Sequence, residues 1–208
     1  MLKKTYNVLN IFAKEPWKKF TFKDIKKISK SKSESYVYNT LKDFVKKGIL
    51  KQENAGNVVI YSINNVIYSI SNVANSIEYE SWSKNHIPYK DMEELMKNVP
   101  TSFFTFIITG SYANNKQTSK SDIDVVILCK DEPKKIYAQL NHLCESNIPQ
   151  IHLYVFKESE FMQMLLDKKP NYGKETVKNN LILYGAEAYY RMIFEAMENG
   201  FNGWYLPE

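Results

Sequence analysis

Arginine is nearly absent: Arg191 stands alone against 27 lysines in a chain of 208 residues. Bidentate reading of guanine by a guanidinium fork is therefore beyond any nucleic-acid-binding surface in the first half of the chain. Cysteine is scarce too. Cys129 and Cys144 are too few and too far apart for a disulfide framework or a thiolate zinc site, and their apolar neighbours mark them as core thiols. Long apolar runs are missing, since the richest stretches, residues 103–108 and 125–129, are strand-length and cannot cross a bilayer. The basic start at residues 1–6 leads into no apolar leader core and no small-residue cleavage site. These absences predict a cytoplasmic protein in a reducing compartment, with no membrane contact.

What is present is enough to fold. A hydrophobic content of 44%, with 14% aromatic, supplies ordinary cores for one large domain or two small ones. Charge is distributed unevenly. Residues 1–63 hold 14 lysines against 5 acids, net +9, whereas residues 64–208 hold 13 lysines, one arginine and 18 acids, net −4. Such asymmetry points to a polyanion-binding unit joined to something else, and lysines decorating every surface are the plainer reading.

Val8, Leu9, Ile11 and Phe12 predict a first helix over residues 6–13, closed from beyond by Pro16. Thr21 is a plausible cap for a second helix, with Phe22, Ile25 and Ile28 at helical spacing. After a Ser- and Lys-rich turn, Val37, Leu41, Phe44 and Val45 predict a third over residues 34–47, stopped by Gly48. Residues 49–53 and 58–63 read as the strands of a hairpin about Ala55-Gly56-Asn57.

This order of elements resembles a winged helix-turn-helix domain, assigned to residues 1–65. The resemblance implies that the third helix presents Ser33, Ser35, Tyr36, Tyr38, Asn39 and Lys42 to the major groove of DNA, with Lys51 and Asn57 of the wing near the backbone. Lysines at 18, 19, 23, 26, 27, 30 and 32 would neutralise phosphates and make binding salt-sensitive. The competing reading is a protein-interaction or dimerisation module, giving a homodimer, whose lysines are only solvated.

Residues 66–100 are expected to connect the halves: Val66, Ile70, Val73 and Ile77 share one helical face, and a short helix over 91–98 ends at Pro100. His86 reads as a surface or linker histidine. Residues 102–109 then form a buried-strand run that stops at Gly110-Ser111, and ten residues later Asp122-Ile123-Asp124 opens a second apolar strand. Each part has a chemical use. Glycine lets a phosphate approach the backbone, and a serine at a helix start joins exposed N–H groups in holding phosphate oxygens. Two aspartates at i and i+2 of a strand project from one face, where they can hold Mg²⁺ or Mn²⁺ against a triphosphate.

The stretch from Gly110-Ser111-Tyr112-Ala113 through Ser121-Asp122-Ile123-Asp124 resembles the polymerase-β superfamily of nucleotidyltransferases, most closely the minimal nucleotidyltransferases found as antitoxins. The resemblance implies an α+β protein: the winged helix followed, over residues 101–208, by a nucleotidyltransferase-fold α/β domain with a small mixed sheet and C-terminal helices. It implies transfer of a nucleoside monophosphate from an NTP, ATP foremost, to an acceptor hydroxyl on protein or nucleic acid, with Mg²⁺ or Mn²⁺ as cofactor. Gly110 and Ser111, with Lys120 and Ser121 close by, would hold the nucleotide, and Asp122 and Asp124 the metal. Lys116 is a further candidate for the phosphates, although solvation suits both lysines better.

The family carries a third acid on a later strand, and this chain departs from that pattern. Over residues 150–156, Ile151, Leu153 and Val155 face one way, so His152 occupies the acid's position. Histidine is a poor ligand for hard Mg²⁺ and a better one for softer ions, so His152 is read either as a metal ligand or as an ordinary hydrogen-bonding residue. Glu158 or Glu160 would compensate only if the chain folds back. Helices are expected over 134–146, 158–168, 175–183 and 187–197. Minimal nucleotidyltransferases of the antitoxin kind pair with separate ribonuclease partners marked by an Arg with a following His. Arg191 has no such histidine, so a separate protein partner is expected rather than a fused one. Two other functions compete: a winged-helix transcriptional regulator whose nucleotidyltransferase domain is weakened or inactive, and nucleotidylation of an antibiotic, for which the chain offers little room.

Overall fold

The computed structural model describes residues 2–204, with side chains from residue 5 onward. Residue 1 and residues 205–208, the outer limits of the expected units, lie outside that range. The chain begins with α1 (Leu2–Lys14), β1 (Phe20–Thr21), α2 (Phe22–Ser29), α3 (Glu34–Lys46), β2 (Leu50–Ala55) and β3 (Val58–Ile63). Local signals set these boundaries. Thr21 caps α2 in a capping box with Asp24, and Ser33 Oγ accepts the Tyr36 N–H at 3.2 Å to open α3. The hairpin β2–β3 recruits the two-residue β1 into an antiparallel sheet ordered β1-β3-β2, a pairing too short for periodicity to reveal.

Next come α4 (Ile67–Ser81), α5 (Tyr89–Lys97), β4 (Phe104–Thr109), α6 (Gly110–Ala113), β5 (Ile123–Cys129), α7 (Pro133–Ser146), β6 (Ile151–Lys157), α8 (Glu158–Leu166), α9 (Tyr172–Lys178), β7 (Leu181–Tyr184) and α10 (Ala186–Glu198). The second sheet is mixed and ordered β6-β5-β4-β7, with only β5 and β6 parallel. Among the described residues no helix is long and apolar enough to cross a membrane.

One expected element is corrected. Residues 175–183 do not form a single helix: α9 stops at Lys178, and residues 181–184 are a strand paired with β4. Asn171 starts α9 early by accepting the Lys174 N–H at 3.1 Å, and the buried Leu181, Ile182 and Leu183 complete the ladder that β4 would otherwise leave open. A short apolar run buried on both faces has no period that separates strand from helix.

The alternation of β5 divides the core. Ile123, Val125, Ile127 and Cys129 face α5 and α7, whereas Val126 and Leu128 face the cluster that contains α4, α8 and α10. That second cluster continues without a break into Val8, Leu9, Phe12, Leu41 and Phe44 of the N-terminal unit. Both cysteines are buried, and burial pushes the Cys144 thiol up to about 11.

Helix α4 joins the halves. Its Glu80 accepts hydrogen bonds from Asn10 Nδ2 at 2.6 Å, Lys14 Nζ at 2.9 Å and Lys84 Nζ at 3.0 Å. Its Glu78 accepts the Ala186 N–H at 2.8 Å and so caps α10, and the Tyr190 hydroxyl donates to the Ala13 carbonyl at 3.0 Å. Burial pushes Glu80 up, but the ammonium groups of Lys14 and Lys84 outweigh it and hold the carboxyl below its ordinary value of 4.5. The cluster therefore contributes above pH 4.5 and is lost as pH falls through the lower folded value. Glu80→Ala strands Asn10 and two ammonium groups, and is expected to cost about 2 kcal/mol and about 4–8 °C of thermal midpoint at pH 7. A shift near zero in a thermal melt would reduce the cluster to surface decoration.

Candidate active site

Thr109, Asp124 and His152 lie in one row across the sheet, because Thr109 pairs with Asp124 and Asp124 with His152. Asp124 shares its side of β5 with Val126 and Leu128, so the site lies on the sheet face that α4, α8 and α10 cover. At the end of β4 the chain turns at Gly110, whose φ is +65°. Only glycine fits. A side chain there would be strained, and its Cβ would strike the Asp124 Oδ2. The carboxylate thus stands directly over the turn, at the start of α6. Ser111 lies in this one-turn helix, and its carbonyl accepts the Lys116 N–H at 2.9 Å. His86, read as a surface or linker histidine, is partly exposed in the connecting segment and places Nε2 2.9 Å from the Tyr112 carbonyl at the helix's far end.

Asp122 sits one residue before β5 and Asp124 is its second residue, while Ile123 between them is fully buried on the opposite face. The imidazole of His152 stands against both carboxylates: Nε2 is 3.5 Å from Asp122 Oδ2 and Nδ1 is 3.7 Å from Asp124 Oδ1. Burial, helped by the like charge of Asp122, raises the Asp124 carboxyl above its ordinary value, and His152 offsets part of this.

Among the described residues no group of three or more His, Cys, Asp or Glu is arranged to hold a metal ion. The donor chemistry fits one hard cation held by the Asp122 and Asp124 oxygens together with phosphate oxygens. It does not fit a second, carboxylate-bound ion, because His152 stands in the position such a carboxylate needs. Neither glutamate beyond β6 replaces it. Asp124 is level with His152, whereas Glu158 follows Lys157 at the strand's other end, and Glu160 is committed to the Lys157 N–H at 2.9 Å.

Lys120 and Lys116 are exposed, and no contact joins them to the carboxylates. Ser121 serves the loop, its Oγ accepting the Thr118 N–H at 2.9 Å immediately before Asp122. Sequence reasoning missed a wall of the site. Tyr172, Glu175, Lys178 and Asn179 line a cavity of about 280 Å³ together with Gly110 and Asp124. The Tyr172 ring lies 4.5 Å from that of Tyr154, and its hydroxyl is buried with no hydrogen-bond partner among the described residues. Burial and then the nearby Asp124 push that hydroxyl well up. Asn171, a typical capping residue, was the available signal for this helix, but a helix drawn over 175–183 conceals it.

In the N-terminal unit Ser35, Asn39, Lys42 and Lys51 are exposed. Tyr36 differs from its neighbours: it packs partly buried against the core, and its hydroxyl is buried without a partner among the described residues.

Residues 93–184 match the family model described as a nucleotidyltransferase domain. The matched segment runs from within α5 through β7 and contains Gly110, Ser111, Asp122, Asp124, His152 and Tyr172. No curated protein and no solved structure matches the chain. The match supports nucleotidyl transfer as the general chemistry of this segment.

Proposed function

Starting from a nucleotidyltransferase domain at residues 93–184, we propose that the chain moves a nucleoside monophosphate from an NTP, ATP foremost, to a hydroxyl of a protein or nucleic-acid acceptor. The observation that carries this reading is the Asp124 carboxylate standing over the Gly110 turn, with Asp122 beside it. The first N–H groups of α6, at Gly110 and Ser111, hold phosphate oxygens. Asp122 and Asp124 would hold Mg²⁺ or Mn²⁺, which when bound neutralises triphosphate oxygens. The acceptor oxygen forms a bond to the α-phosphorus, the bond from that phosphorus to its bridging oxygen breaks, pyrophosphate leaves with the electron pair, and the hydroxyl proton passes to solvent. The test is incubation with α-labelled ATP, Mg²⁺ or Mn²⁺ and candidate acceptors. Label should appear on an acceptor with the wild-type chain and disappear with Asp122→Ala; equal labelling by both would sink the assignment.

A second reading is favoured by one observation, the imidazole of His152 between the two carboxylates. In it the chain is a winged-helix transcriptional regulator whose domain binds nucleotide with little or no turnover. The N-terminal helices, the hairpin and their net charge of +9 support a winged helix that binds DNA through residues 1–65. A separate protein partner belongs to the first reading, and a homodimer to the alternative in which residues 1–65 form a protein-interaction or dimerisation module. Nucleotide-dependent DNA binding without turnover favours the regulator reading, and absence of DNA affinity at low salt removes it. Lys42 is exposed on α3, so Lys42→Ala is expected to lower the slope of log K against log salt by about 1 while weakening all sequences alike. An unchanged slope would take Lys42 off the DNA-facing surface.

A further inference from the structure

A second cavity, of about 380 Å³, lies between the two units, with Trp17 on the N-terminal side and Asn114, Lys178 and Asn179 on the other. Lys178 and Asn179 also line the cavity at Gly110 and Asp124, so the same short segment forms a wall of both spaces. Thr109 fixes this wall by donating from Oγ1 to the Asn179 carbonyl at 2.7 Å. The volume is of the order of an enclosed small-molecule site and far above what single waters need.

The lining says what kind of guest fits. Glu80 holds both Lys14 and Lys84, and with Glu15 and Lys178 the charged lining comes to a net +1 (three lysines against two glutamates), so recognition of the guest falls mainly to polar and aromatic groups. The carboxamides of Asn114 and Asn179 make no hydrogen bond among the described residues, and each presents a donor beside an acceptor, the complement of a nucleobase edge. Trp17 supplies a flat ring, held edge-on by Phe201 at 5.2 Å and closed on one side by Gly203, where a Cβ would strike the indole.

We propose that this cavity receives the base and ribose of the nucleotide whose phosphates are held at Gly110 and Asp124, so that Trp17 of the N-terminal unit touches the nucleotide. The assignment rests on the phosphate-site reading above and adds to it a physical link: nucleotide occupancy and placement of the N-terminal unit become coupled, each stabilising the other.

The experiment is calorimetric titration of the full chain with Mn²⁺ and either α,β-methylene ATP or inorganic tripolyphosphate, which lacks base and ribose. The nucleotide analogue is expected to bind at least about tenfold more tightly. Trp17→Ala should erase that advantage and leave tripolyphosphate affinity unchanged. Because Trp17 packs on Phe201 and its loss can unfold the chain, Asn114→Trp, which fills the cavity from an exposed position, provides a second test with the same expected result. Equal affinity of the wild-type chain for both probes, or an advantage that survives Asn114→Trp, overturns the cavity assignment and leaves the phosphate site standing. Failure of both probes to bind overturns the phosphate site, and the cavity assignment with it.

Discussion

Asp124→Asn is expected to reduce label transfer by at least about a thousandfold while raising the thermal midpoint of the ligand-free chain by about 2–4 °C. The two effects have one cause. The Asp124 side chain is only 29% exposed, and burial together with the charge of Asp122 raises its pKa in the folded chain. A raised carboxyl favours the folded state while protonated, and that contribution is fully present below the unfolded value of 3.8 and lost as pH rises through the folded value. At pH 7 the carboxylate is a cost that the folded chain carries. Asparagine keeps the shape and removes the charge, relieving that cost and deleting an oxygen of the proposed metal site. The stabilisation should shrink as pH falls through the raised folded value and vanish below 3.8, where wild type and variant are both neutral at this position. Melts across that range, with transfer assays on the same preparations, check both halves. A variant that loses activity because it is less stable would refute the account.

His152→Asp is expected to increase Mg²⁺-dependent transfer by about tenfold to a hundredfold. Its strand β6 is the sheet edge, its side chain is 46% exposed, and its ring nitrogens lie 3.5 and 3.7 Å from the two carboxylates. A carboxylate there turns a site fit for one hard cation into one with the donor set for two. Three like charges then crowd the strand ends. The apo variant should melt about 2–4 °C lower than wild type, with added Mg²⁺ restoring the loss. Rate measured against Mg²⁺ and Mn²⁺ concentration decides the matter. A variant slower than wild type with both ions would assign His152 a part in the chemistry, and an unchanged rate would place the limitation elsewhere.

How far the site is legible in the sequence depends on how local its causes are. Gly110 ends an apolar run, and the aspartates alternate with a buried isoleucine, so their shared face follows from the strand period alone. His152 follows from the same alternation one strand later. Thr21 with Asp24, and Ser33 before α3, mark helix starts that the structure keeps, because a capping hydrogen bond spans three residues. Tyr172 and Glu175 are illegible for the opposite reason. They reach Asp124 only because α9 ends early and β7 closes onto β4, a choice made by burial of Leu181, Ile182 and Leu183 rather than by their pattern.

Sequence alone determined most of the elements, though neither β1 nor β7, together with the GS turn, the pair of aspartates and the histidine standing where an acid is expected, all consequences of periodicity, capping and backbone stereochemistry within a few residues. Only the tertiary structure decided that Asp124 faces the wall formed by α9, that α4 ties the halves together through Glu80, and that Trp17 and Asn179 line one cavity beside the site. Those arrangements are set by which buried faces meet across dozens of residues of chain, and no local spacing records that.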